Sequence, residues 1–317
     1  AALPFPNSDL AEPLIASNEV IYQPSLQSLL LFEKEFSRPE SYRRDLLVFS
    51  DPVFSTDDER LAGIPERQTE QAGTFRLVES LSSLTRLRGS SREADSISAA
   101  LGSSVDRLDG FSATRDAFID SASKGYRFVH IATHAQADRQ RPDQSGIIFS
   151  RFDRDGGRIH EMVRLQDIYS MRLRCDLVVL SACETAVGKE LKGEGLLSLN
   201  NAFLQTGSRA VLSTLWKVED EATQMLMSAF YEGIAQRGLG PSDSLRQAQL
   251  KLRQDPRFSS PFYWAAFTLH GASTNAVPVK TQFMSSRTLI ATGSAISFLL
   301  LALAVFIGFR RRRSFAK

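Results

Sequence analysis

The chain has 317 residues, 43% hydrophobic and 23% charged, enough to bury a full core in one large or two small domains. Two cysteines are too few for a disulfide framework. The formal net charge of +2 includes five positive charges on Arg310 to Arg313 and Lys317. Without them the remainder carries −3, and with no basic stripe interleaved with aromatics, nucleic-acid binding is not expected.

The chain opens on Ala-Ala-Leu-Pro-Phe-Pro, with neither Met nor a basic and apolar leader, and reads as the interior of a longer protein. The first clear element is a strand over Asp45–Ser50, stopped at Asp51-Pro52. Residues 55–73 read as loop. Ser90-Ser-Arg-Glu93 fits a capping box that opens a helix ending at Gly102. A second helix, Ala113–Ser123, is capped by Ser112 and feeds a strand over Tyr126–Thr133. Gly146–Ser150 and Arg158–Val163 flank Asp153-Arg-Asp-Gly-Gly157, a hairpin signal. A short helix at Leu165–Met171 precedes the apolar strand Asp176–Ala182. Then follow a helix over Gly195–Gln205, a strand over Arg209–Leu215, helices over Glu219–Gln236 and Ser242–Arg253, and a last strand over Phe262–Leu269. Helices alternating with apolar strands imply an α/β fold with a mainly parallel sheet covered on both faces.

Beyond the expected domain, 1–271, residues 272–287 are rich in small and polar residues and read as a linker. Residues 288–309 carry no charge over 22 positions. As a helix they would measure about 33 Å, against a hydrocarbon core of about 30 Å, so a single transmembrane helix followed by a basic tail, 310–317, is expected. The positive charges after the span place the tail in the cytoplasm and the domain outside it; insertion as a tail anchor would instead leave the domain cytoplasmic.

The chemistry centres on two strand ends. His134 closes one strand and Cys183 another, 49 residues later, and in parallel α/β sheets reacting groups converge at the carboxyl ends of neighbouring strands. A thiol and an imidazole delivered there form a nucleophile–base pair. His134 takes the thiol proton, Cys183 attacks a peptide carbonyl, and the backbone N–H groups of Ala135 and Cys183 stabilise the oxyanion. No metal site is expected. His130 and His134 are four apart, but four strand residues span about 13 Å, too far for both rings to reach one ion. His130 is then a histidine within the sheet. Cys175 reads as a small core hydrophobe: eight strand residues, about 26 Å, separate it from Cys183, whereas a disulfide needs Cα atoms within about 7 Å.

Lys192 is followed by Gly193-Glu194-Gly195, which lacks the ending of a phosphate loop; with Glu184 these residues are candidates for a loop beside the active site, and no cofactor is expected. The aromatic clusters at Trp216 and at Phe262-Tyr-Trp read as packing. Asp138, Asp143 and Asp176 read as loop acids.

The segments His130-Ile-Ala-Thr-His134, Leu180-Ser-Ala-Cys-Glu-Thr185 and Gly193-Glu-Gly195 resemble the CHAT domain, a caspase-like cysteine-peptidase domain often found after TPR repeats. Leu215-Trp-Lys-Val-Glu-Asp220, Phe230-Tyr231 and Pro261-Phe-Tyr-Trp-Ala-Ala-Phe267 look like the same family. The His-to-Cys spacing is also similar to that of caspases. The resemblance implies a caspase–haemoglobinase three-layer α/β/α sandwich with His134 and Cys183 in the dyad positions. It also implies a protein or peptide substrate and a TPR-type recognition region upstream. One departure is Ala135, where the family has glycine; the N–H is kept but a glycine-only conformation is not. The expected function is a membrane-anchored cysteine endopeptidase, and the alternative is a non-catalytic interaction module on the same fold.

Overall fold

The computed structural model describes residues 12–23, 25, 42–64, 84–102, 104–136, 145–181 and 194–272, with 194–198 described by backbone alone. The chain divides into two compact units, 1–279 and 280–317, and every described residue lies in the first.

The strands, in chain order, are β1 (Ile21–Tyr22), β2 (Arg44–Ser50), β3 (Val105–Asp109), β4 (Tyr126–Ala132), β5 (His134–Gln136), β6 (Gly146–Ile148), β7 (Met162–Arg164), β8 (Cys175–Leu180), β9 (Ser208–Thr214) and β10 (Phe267–Gly271). The α-helices are α1 (Arg88–Leu101), α2 (Arg115–Ala122), α3 (Leu165–Ser170), α4 (Glu194–Gln205), α5 (Asp220–Arg237), α6 (Pro241–Gln254) and α7 (Pro261–Trp264). A seven-stranded sheet runs β1-β10-β9-β8-β4-β2-β3, and β5-β6-β7 form a separate antiparallel sheet. Every neighbouring pair in the large sheet is parallel except β9 with β10. The expected α/β class and mainly parallel sheet are therefore present.

Burial explains the pairing. β4 and β8 are buried at every position, as strands covered on both faces must be. Alternate residues supply two cores. Leu46, Val48, Phe128, Leu177, Val179 and Leu212 face α1, α5 and α6; Leu47, Phe49, Val129, Ile131, Val178 and Val211 face α2, α3 and α4. On the second face Phe49, Phe118 and Phe149 pack with ring centroids 5.1–5.5 Å apart. Each such ring contributes roughly 1.5–3 kcal/mol by burial. The β3 edge carries Asp106, Arg107 and Asp109, charges that discourage further strand addition.

Helix ends follow local chemistry. α5 begins with Asp220 and Glu221 and ends with Arg237, complementing its dipole, and Gly238 stops it in the left-handed conformation. Gly207, at φ +107°, lets the chain turn from α4 into β9 against the Leu173 carbonyl, where no Cβ fits.

Two expected elements are corrected. The last strand does not begin at Phe262: Pro261 opens α7, capped by Ser260, and β10 starts only at Phe267. α1 starts at Arg88 rather than being capped by Ser90, whose hydroxyl instead donates to the Leu87 carbonyl at 2.7 Å.

The membrane anchor is also corrected. Among the described residues no helix is long and apolar enough to cross a membrane. The stretch that raised the expectation, 288–309, lies outside the described residues, and the single-pass placement, with the domain outside the cell or on its cytoplasmic face, is withdrawn.

At the β10 end, His270 stacks on Tyr22 at 5.2 Å and lies 3.0 Å from Thr268 Oγ1. Burial holds its imidazole down at about 4, against 6.5 ordinarily. The unfolded chain therefore takes up a proton before the folded one as pH falls. Stability is retained above pH 6.5 and lost progressively down to about pH 4, by up to about 3 kcal/mol from this group. Urea midpoints at pH 7 and pH 4.5 are expected to diverge less in His270→Gln than in the wild type.

Candidate active site

β4 and β8 run side by side with Ile131 opposite Leu180, and the Ser181 N–H donates to the Ile131 carbonyl at 3.0 Å. Beyond these ends lies a cleft of about 540 Å³, part of it open to solvent. Ala132 and His134 line it from the β4 side, Ser181 from β8 and Thr214 from β9; α1 and α5 wall it with Ser90, Glu93, Asp220 and Thr223. The two helices approach closely at Gly89, where an added Cβ would meet the Asp220 carboxylate.

His134 opens β5 and is 1% exposed. Its ring packs on Phe54 with centroids 4.7 Å apart, and Nε2 lies 2.9 Å from the Thr85 carbonyl oxygen. A carbonyl can only accept, so Nε2 carries a proton and donates it to Thr85. The Thr133 hydroxyl donates to the Ile148 carbonyl and ties the β4–β5 junction to the small sheet. Ala135 follows opposite Ile147.

His130 is wholly buried and has a different role. Its Nδ1 meets the Tyr231 hydroxyl at 3.1 Å, and its Nε2 is 3.1 Å from Glu93 Oε1. The Ser181 hydroxyl donates to the same Glu93 oxygen. Burial raises the Tyr231 phenol well above its ordinary value, and the negative Glu93 pushes the same way, so the phenol stays neutral. Glu93 thereby ties α1 to the carboxyl ends of two central strands, a role its placement in a capping box did not suggest.

A second cluster lies at the end of β2. Asp51, at φ +47°, is the non-glycine residue with positive φ among the described residues. Its carboxylate takes two bonds from Arg86, at 2.9 and 2.5 Å, and a third from Arg60 at 3.1 Å. These pairings hold the Arg86 guanidinium well above its ordinary value. From the sequence Asp51-Pro52 read only as a turn, and no local signal marked Arg86.

Cys183, Glu184 and Gly193 lie outside the described residues; Cys183 comes two residues after Ser181, the last of its segment to be described. Glu194 and Gly195 form the first turn of α4, described by backbone alone. Cys175 is buried in the core as expected, and Asp176 is a buried partner of Arg127 at 2.9 Å rather than a loop acid. Asp138 and Asp143 lie outside the described residues. The aromatic clusters divide: Trp264 is buried, whereas Trp216 is 36% and Phe262 53% exposed, their rings stacked 6.3 Å apart. No group of residues able to hold a metal ion occurs among the described residues.

The mainly parallel sheet covered by helices on both faces is that of an α/β protein. The family model described as CHAT domain matches residues 1–272, and the chain belongs to that family. Tetratricopeptide repeat protein 28 of Mus musculus is 40% identical over 106 residues, 33% of this chain and 4% of that protein. The Homo sapiens protein of the same name is 31% identical over 158 residues, 48% of this chain and 6% of that one. The chain thus matches only a small fraction of these relatives' length. Among solved structures, the Arg-specific cysteine proteinase gingipain R has 9% identity and a TM-score of 0.48, covering 81% of this chain and 54% of that one. The Saccharomyces cerevisiae separase–securin complex has 12% identity and a TM-score of 0.47, covering 82% and 14%.

Proposed function

We propose that the chain, through its domain at 1–271, is a cysteine endopeptidase of the caspase–haemoglobinase kind, with His134 as general base and Cys183 as nucleophile. The observation that carries this reading is the Thr85 carbonyl on His134 Nε2. It supplies the third group that orients the base in a nucleophile–base pair. Register supports the partner. His134 follows Ile131 by three residues, Cys183 follows Leu180 by three, and Ile131 and Leu180 are opposite one another.

In the reaction the Cys183 thiol proton passes to His134 Nδ1 as sulfur bonds to the peptide carbonyl carbon. The oxyanion accepts from the backbone N–H groups of Ala135 and Cys183. Collapse breaks the C–N bond, and the imidazolium gives its proton to the departing amine. Water then attacks the thioester, its proton passing to His134; the C–S bond breaks, freeing the carboxylic acid and the thiol. Glu184 and Gly193 belong to the loop beside the nucleophile, whereas Glu194 and Gly195, expected in that loop, open α4 instead; residues 272–287 are a linker. The partner is a protein or peptide, presented by a TPR-type recognition region upstream; the name of the curated relatives supports that association.

Mild alkylation at neutral pH with peptide mapping tests the assignment. Cys183 is expected to react at least about tenfold faster than Cys175, because a thiolate paired with imidazolium is the nucleophile and a core thiol is inert. Equal rates, or faster reaction at Cys175, would overturn the dyad and favour a non-catalytic interaction module.

A further inference from the structure

Resting on the reading of His134 as base, we propose that Asp51 and Arg86 are its positioning residues: their ion pair fixes the Thr85 carbonyl on Nε2. The carbonyl belongs to a short stretch, Leu84–Leu87, that is held from both sides. Arg86 Nε and Nη2 reach the two Asp51 oxygens at 2.9 and 2.5 Å, a forked geometry that sets direction as well as distance. One residue further, the Leu87 carbonyl accepts from Ser90 Oγ, and that same hydroxyl accepts from the Asp51 N–H at 2.9 Å. Leu84 is buried against Phe54, whose ring also packs on His134. Thr85 therefore lies between Leu84, packed on Phe54, and the Arg86–Leu87 pair, both of which are tied to Asp51.

Asp51 is itself built in. Arg60 donates to its carbonyl at 2.8 Å and to its carboxylate at 3.1 Å, and the left-handed backbone turns the chain just past β2. That conformation is strained for a residue other than glycine, and such strain persists where the surroundings over-determine it. β2 lies beside β4 with Ser50 opposite Ala132, so Asp51 and His134 leave the same sheet edge on adjacent strands. The arrangement ties the tautomer of the base to an ion pair that touches neither substrate nor the reacting atoms.

Two conservative variants test this in the full chain: Arg86→Gln and Asp51→Asn, the latter keeping the side-chain shape and a residue that tolerates left-handed backbone. The direct readout is solvent exchange of the His134 ring N–H proton by NMR, beside backbone amide exchange in β4 and α1. Both variants are expected to speed ring-proton exchange by about tenfold or more, and to slow Cys183 alkylation by roughly 10- to 100-fold, while β4 and α1 amides keep their protection. Unchanged ring exchange, or ring exchange that rises only in step with all amides, would overturn the proposal and leave the pair as a structural staple. The ring-proton measurement needs no activity. If the ring proton responds but Cys183 proves unreactive in the wild type, the peptidase reading falls and the positioning stands. If Cys183 reacts fast and the ring proton is indifferent, the reverse holds.

Discussion

Replacing His134 by alanine is expected to slow acylation of Cys183 by a peptide probe by about 1,000-fold or more, the scale on which nucleophile–base units fail when one member is removed. The loss should appear in the rate of covalent labelling at saturating probe. His134→Ala is also expected to melt at a lower temperature. A histidine at a strand end would be free to leave without opening a cavity, but this ring is 1% exposed and packs on Phe54. His134→Gln, which fills more of the space, separates the two effects: it should recover much of the melting temperature and none of the labelling. Full labelling in either variant would sink the dyad.

His130→Ala is expected to have the larger effect on stability, about 3–5 kcal/mol by urea unfolding, in the range seen for large side chains truncated in a core. The ring is wholly buried, and its loss takes from Tyr231 its hydrogen-bond partner at 3.1 Å and from Glu93 the neighbouring imidazole. The Tyr231→Phe variant removes one hydrogen bond without a cavity and should cost only about 1 kcal/mol. A His130→Ala variant no less stable than Tyr231→Phe would mean that the buried network contributes little.

Strands β4 and β8 were legible to within two residues, because continuous apolar runs bounded by polar residues leave little choice of register with the core. β1 was not. Its two residues become a strand only by pairing with Leu269 and His270 at the other end of the described chain, and nothing in Ile21-Tyr22 anticipates that. At Pro261-Phe-Tyr-Trp the aromatic content suggested a strand, yet proline at the first helical position and a serine cap decided for a helical turn. The site divided in the same way. His134 read as closing the strand Tyr126–Thr133, yet it opens β5 of the small sheet; the carbonyl on its Nε2 lies 49 residues away, and Arg86 lies 35 residues from Asp51. Ser90 and Glu93 matched a local capping pattern, whereas the fold turns both inward, one to Asp51 and the other to Ser181. Tertiary contacts of this kind leave no trace in spacing.

The short β1 strand has a consequence for how the chain can be handled and partnered. It caps β10, and the 3₁₀ turn before it is pinned when Arg246 donates to the Ile15 and Ala16 carbonyls at 2.8 and 2.5 Å. Without that segment the sheet would end on an uncovered strand whose outward backbone groups suit any extended peptide that drifts by. The opposite edge already deters such visitors with Asp106, Arg107 and Asp109; this one relies on the protein's own early residues as a permanent occupant. A fragment begun after residue 23 would therefore tend to self-associate through β10, however well its core was formed.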